Sequence, residues 1–139
     1  MTEEPVFLTV EDILVIHTRV IDEFGGDPAV LDHGLLESAT MMPAARYAGK
    51  LLHPDLPAMA AAYLFHLCRN HAFADGNKRT ALTAAEVFLL LNDHKLTAAS
   101  RDVERLVLGM ADGGIAKHQA MTFFRKHVRA RGTTRREGR

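Results

Sequence analysis

Residues 57–70 and 78–93 are apolar on nearly every side at helical spacing, and only the segment 71–77 separates them. Met59, Tyr63, Leu64, Phe65 and Leu67 leave the first stretch no continuous polar face; Ala81, Leu82, Val87, Phe88 and Leu91 do the same for the second. A helix without a polar stripe must be covered by protein all round. The two stretches therefore form the centre of one domain, and the rest of the chain supplies the cover. Pro57 suits the first turn of the leading helix, where its missing N–H leaves nothing unpaired.

The covering elements follow from periodicity. Val10, Ile13, Leu14, His17, Val20 and Phe24 lie on one face of a helix. Thr9 caps it, with Asp12 in position to return the bond, and Gly25-Gly26 and Pro28 end it. His17 falls on the apolar stripe and reads as a core histidine with a local hydrogen bond. A short helix over 33–42 is capped by Asp32 and stopped before Pro43. Two outer helices complete the set, over 100–111 with Val103, Leu106, Val107 and Met110 inward, and over 116–130 with Ala120, Phe123, Phe124 and Val128 inward. Residues 44–57 have no helical period and read as a loop or a small β-hairpin. No alternating strand pattern appears elsewhere, so the expected class is all-α, a single-domain helical bundle over residues 1–130.

Composition bounds the partners. The chain has 139 residues, 47% of them hydrophobic, which is enough for a packed core without staples. Lys and Arg number 17 and Asp and Glu also 17. That balance hides a basic tail at 131–139, which carries four arginines against one glutamate. Such a tail reads as a disordered terminus rather than a nucleic-acid site. The single cysteine, Cys68, cannot pair internally and reads as a small buried hydrophobe. The first residues are acidic, and no apolar run approaches the roughly 18 residues a membrane span needs. A soluble, cytoplasmic protein with no membrane partner is expected.

The segment joining the central helices is richer than a turn requires. Gly76 and Asn77 would suffice to turn and cap a helix hairpin, yet His71, Asp75, Lys78 and Arg79 crowd the same place. Lys78 and Arg79 open a helix, where the macrodipole already places about half a positive charge, so each cation there costs around 0.3–1 kcal/mol. The pair makes sense if an anion occupies the site. Free N–H groups at a helix start, beside a glycine that permits close approach, already form an anion nest. Lysine and arginine turn that nest into a polyphosphate cradle. Asp75 suits Mg²⁺, which takes one or two carboxylates plus phosphate oxygens. His71 suits the removal of a proton from an attacking hydroxyl at neutral pH. Phe73 reads as the inward anchor of the loop.

The run His71-Ala72-Phe73-Ala74-Asp75-Gly76-Asn77-Lys78-Arg79-Thr80 resembles the His-x-Phe-x-Asp/Asn-Gly/Ala-Asn-Lys-Arg motif of death-on-curing toxins, within the wider Fic/Doc fold. Leu8–Asp12, Ile16-His17, Phe24–Gly26 and Asp32–Ala39 look like the N-terminal half of the same family. The resemblance implies a nucleoside triphosphate, ATP or another NTP, held with Mg²⁺ over the loop, and a protein hydroxyl as acceptor. It implies His71 as the base, Asp75 at the metal, Gly76 and Asn77 lining an anion hole, and Lys78 and Arg79 on phosphates. It also implies a flap at residues 47–55 that docks the target chain, and a cognate antitoxin inserting a helix or strand near the loop. Adenylylating Fic enzymes usually read Gly-Asn-Gly-Arg-x-x-Arg here. Lys78 replaces the second of those glycines, and Leu82 stands at the second arginine. Both departures favour transfer of the γ-phosphate over transfer of AMP. By resemblance the protein is the toxin of a type II toxin–antitoxin system, a kinase-type enzyme that inhibits translation through elongation factor Tu.

Rival readings are an AMP transferase of the Fic type, a non-catalytic nucleotide-binding module, and a zinc site from His66, Cys68, His71 and Asp75. The zinc site lacks any paired-ligand spacing. His66 reads as a buried histidine beside the loop. Glu86 reads either as a partner for a buried cation or as an exposed helix position. The oligomeric state is left open.

Overall fold

The structure, a computed structural model, describes residues 4–131. Of the basic tail expected at 131–139, only Arg131 falls within them, and residues 132–139 lie outside. In chain order the elements are α1 (Val10–Phe24), α2 (His33–Met41), a 3-10 turn (Met42–Ala44), β1 (Arg46–Tyr47), β2 (Lys50–Leu51), α3 (Leu56–Asn70), α4 (Asn77–Leu91), β3 (His94–Leu96), α5 (Ser100–Ala111), α6 (Lys117–His127) and β4 (Val128–Ala130). The class is all-α. No helix among the described residues is long and apolar enough to cross a membrane.

α3 is the axis of the bundle. It packs against α4, α6, α2 and α5, and Ala58, Ala60, Ala61 and Ala62 on it are completely buried. Small side chains on both sides of the contact, with Ala81, Ala84 and Ala85 on α4, let the two backbones approach closely. Tyr63 and Phe88 fill the space beside them, with ring centroids 5.1 Å apart. The Tyr63 hydroxyl accepts a hydrogen bond from the Leu8 N–H at 2.8 Å, and burial pushes its pKa up to about 12. One buried cluster draws on every helix.

The caps read from the sequence are formed. Thr9 and Asp12 exchange bonds of 2.8 and 3.1 Å, and Asp32 accepts from Leu35 N–H at 2.9 Å. Asp55 caps α3 in the same way, through Ala58 N–H at 2.9 Å. Each such cap contributes about 1 kcal/mol.

One open segment is decided and three expectations change. Within residues 44–57 the hairpin reading holds, with β1 and β2 joined through Ala48 and Gly49, both at positive φ (53° and 81°). The last outer helix ends at His127, and β4 pairs antiparallel with β3, so a second two-stranded sheet exists where none was expected. α4 is not covered at its far end, where Leu90 and Leu91 are 44% and 50% exposed. His66 does not face the loop. Its Nε2 accepts from the Lys117 ammonium at 3.1 Å, across the α3–α6 contact.

That contact sets an acid limit on stability. Burial first, then the charge of Lys117 and the proximity of His53, lower the His66 pKa from 6.5 to about 4. His53, itself buried, is lowered for the same first two reasons. Both imidazoles are neutral in the fold, so below pH 6.5 the unfolded chain binds more protons than the folded one. Stability present above the unfolded value is lost as pH falls toward 4. The urea midpoint should therefore drop between about pH 7 and about pH 5, and His66→Gln should flatten the drop. Identical pH profiles for the two proteins would contradict this assignment.

Candidate functional site

α3 ends at Asn70, and His71 takes its C-cap position in the left-handed conformation, φ 51°. Glycine is the usual residue there, because a Cβ costs roughly 1–2 kcal/mol in that region. A histidine held in this conformation is turned out of the helix and exposed at the rim of a cavity.

Three devices fix the loop that follows. Its backbone runs antiparallel to residues 29–31: Val30 bridges Phe73, Ala74 N–H donates to Ala29 C=O at 3.0 Å, and Leu31 N–H donates to Ala72 C=O at 2.8 Å. Phe73 is buried and lies flat on His17, with centroids 3.7 Å apart and planes 9° off parallel. His17 Nε2 then meets the Asp75 carbonyl at 2.9 Å, and since a carbonyl only accepts, that nitrogen carries the proton. Asn77 closes the loop from the other side. Its Oδ1 accepts from Phe73 N–H at 3.1 Å and its Nδ2 donates to Phe73 C=O at 2.8 Å. The expected local hydrogen bond of His17 is thus a long-range one, and the residue belongs to the site's support.

Gly76 sits at φ 81°, and a Cβ there would lie 3.3 Å from both Val20 and Ile21 of α1. Glycine is required twice over, by conformation and by space. α4 starts immediately after it with no side-chain cap. The N–H groups of Asn77, Lys78 and Arg79 therefore have neither an intrahelical acceptor nor a capping oxygen.

Asp75 and Arg79 are positioned by the end of α1. Asp75 Oδ2 accepts from Asp27 N–H at 2.7 Å, and among the described residues no donor reaches Oδ1. Gly26 makes this possible: at φ 120°, a Cβ on it would come within 2.9 Å of the Asp75 Cβ. The Arg79 guanidinium stacks over the Phe24 ring at 3.7 Å. Phe24, expected inward, is 51% exposed because it serves as this platform. An exposed cation–π contact contributes about 0.5–1 kcal/mol.

All six candidate residues, His71, Asp75, Gly76, Asn77, Lys78 and Arg79, line one open cavity of about 630 Å³. Both polar atoms of the Asn77 side chain are held on Phe73, and its backbone N–H stands at the uncapped helix start. Glu86 is exposed, which decides between its two readings. His17, Phe24, Gly26 and Asp27 were missed as parts of the site. Only the polar ring of His17 on an apolar stripe gave a signal for any of them.

A helical bundle that presents an uncapped helix start beside a histidine and a carboxylate defines a class, and sequence comparison agrees with it. The sequence model of the Fic/DOC family matches residues 7–89, from the strap before α1 to late α4. The chain is 46% identical over 105 residues to "Toxin Doc" of Mycolicibacterium smegmatis, covering 76% of this chain and 75% of that protein. It is 35% identical over 106 residues to "Protein kinase doc" of Escherichia phage P1, covering 76% and 82%. The chain belongs to the Fic/DOC family and, within it, groups with the Doc toxins.

Gly76→Ala should cost roughly 1–2 kcal/mol of stability from the left-handed φ alone. It should also loosen the α1–α4 approach, so that inorganic pyrophosphate binds more weakly in calorimetry. Unchanged stability and binding would show that the close approach is not needed.

Proposed function

We propose that this chain is the toxin of a type II toxin–antitoxin system and acts as a protein kinase-like phosphotransferase, moving the γ-phosphate of ATP to a Ser/Thr hydroxyl of a target protein. The observation that carries this reading is the convergence of an exposed imidazole, a carboxylate with an uncommitted oxygen and an uncapped helix start on one cavity. The phage P1 relative is named a protein kinase, which supports this reading.

The residues divide the work by chemistry. The amides of Asn77, Lys78 and Arg79 and the two side-chain cations receive the terminal phosphates, with Gly76 allowing close approach. Asp75 Oδ1 has the chemistry of a Mg²⁺ ligand, a single carboxylate oxygen beside a phosphate site. A Mg²⁺ ion held there would supply positive charge against the phosphate oxygens. His71 takes the proton of the acceptor hydroxyl as its oxygen forms a bond to the γ-phosphorus. The bond from that phosphorus to the β,γ-bridging oxygen breaks, and ADP leaves with the electron pair. Leu82 offers no charge to a phosphate held farther along α4, and Lys78 fills space that a glycine would leave open; both favour γ-phosphate transfer over the alternative, transfer of AMP.

The target is a protein, by family resemblance elongation factor Tu, whose modification inhibits translation and growth. The β1–β2 hairpin, with Tyr47 76% exposed at its edge, is the surface on which the target chain docks. A cognate antitoxin covers the toxin near the loop, and both proteins work in the cytoplasm.

The test is incubation of the protein with γ-labelled ATP and, separately, α-labelled ATP, in the presence of bacterial lysate or purified elongation factor Tu. The γ-label should reach protein and the α-label should not; the reverse establishes AMP transfer. His71→Ala should lower the rate by about 10²–10⁴-fold while ATP still binds, and should relieve growth arrest on expression. A fully toxic His71→Ala variant would rule the mechanism out.

A further inference from the structure

Lys117 is the first residue of α6 and reaches back onto α3, where its Nζ stands 3.1 Å from His66 Nε2. We propose that Lys117 is a covalent modification site, an amine nucleophile that accepts the acyl group of an acyl phosphate or acyl thioester. Neither Lys117 nor His66 lines the cavity at His71, so the site stands apart from the proposed phosphate transfer.

The surroundings of this nitrogen disfavour its positive charge. The start of α6 carries the positive end of the helix dipole, which opposes a cation. The Phe65 ring lies 5.8 Å from Nζ, but the Arg69 guanidinium already sits over the same ring at 5.1 Å. Among the described residues the ion pairs are Arg105–Asp102 and Arg125–Asp55, and no carboxylate pairs with Lys117. His66 and the buried His53 face it with neutral imidazoles in place of an acid, and His118, next along α6, is exposed. Partial burial then holds the Lys117 pKa below the ordinary lysine range.

These conditions favour attack by the amine. At neutral pH an ordinary lysine is amine in only roughly one molecule in a thousand, and each unit of fall in pKa raises that share about tenfold. Desolvation and a neighbouring cation are means by which proteins make a lysine nucleophilic. The neutral amine donates one N–H to His66 Nε2 and keeps its lone pair for attack. A bond forms from Nζ to the acyl carbon. The bond from that carbon to the phosphate oxygen or thioester sulfur breaks, and the leaving group takes the electron pair. One amine proton passes to water. The amide keeps a single N–H, so the hydrogen bond to His66 survives while the half-buried charge is removed.

The chain has five lysines, and Lys50, Lys78, Lys95 and Lys126 are exposed. Exposure alone would make Lys117 the slowest to react. The test is brief incubation of the protein at neutral pH with acetyl phosphate and, separately, acetyl-coenzyme A, followed by peptide mass spectrometry. Lys117 should be acetylated about fivefold or more faster than Lys95 and Lys126, which do not line the cavity at His71. In the acetylated protein the His66 imidazole should titrate above its starting value of about 4, because the Lys117 charge that helps to lower it is gone. His66→Glu, which sets a carboxylate against the amine, should abolish the preference. Reaction with one reagent alone supports the site and names its donor. If Lys117 reacts no faster than Lys95 and Lys126 with either reagent, the proposal is overturned. A His66→Glu protein that is folded by circular dichroism and still favours Lys117 overturns it as well; should that variant not fold, the wild-type ranking decides.

Discussion

The imidazole of His17 lies on Phe73 and donates to the Asp75 carbonyl, and this pairing ties the first helix to the loop between the two most buried ones. Ordering a loop of this length costs roughly 1–2 kcal/mol of backbone entropy per residue. The cost is met by contacts that all meet at Phe73: the ring on His17, the backbone amide and carbonyl on Asn77, and the bridge to Val30. A residue gripped from three directions leaves its neighbours little freedom. His71, two positions before, and Asp75, two after, inherit their places from it.

The fixed loop has an electrostatic consequence. α4 begins without a capping side chain and with two cations in its first turn, an arrangement that opposes the helix dipole. Free amides and excess positive charge at one point are a standing cost without an anion and become favourable with one. Arg79 is partly restrained by the Phe24 ring, so less side-chain freedom remains to be lost when phosphate arrives. Asp75 does not cancel this field by pairing with Lys78 or Arg79, since its Oδ2 is engaged by the Asp27 amide. The site combines opposite charges without letting them collapse on each other.

Most of the architecture was legible because its signals are long. Val103, Leu106, Val107 and Met110 set a period over about two turns, and α5 has the bounds read from the sequence. The two buried helices announced themselves in the same way, and the six site candidates, which follow one another closely along the chain, had to share a place. The strands were hidden for a physical reason. β3 and β4 are three residues each, too short for an alternation to show, and their pairing joins positions 94–96 to 128–130. The β1–β2 turn places Ala48 at φ 53°, a conformation normally marked by Asn or Gly. Phe24 obeyed the helical period but lies at the helix end, beyond the core. His17, Gly26 and Asp27 act through partners some fifty residues away, and no local pattern encodes such contacts.

The central claim is that the loop holds the α4 N-terminus ready as an anion site. Nitrogen–proton correlation spectra during a titration with inorganic pyrophosphate test it most directly. The amide signals of Asn77, Lys78 and Arg79 should move with saturation, while those of α5 and α6 stay in place, and the response should weaken as salt is added. Saturation that leaves these three amides unmoved, or shifts that cluster elsewhere, would contradict it.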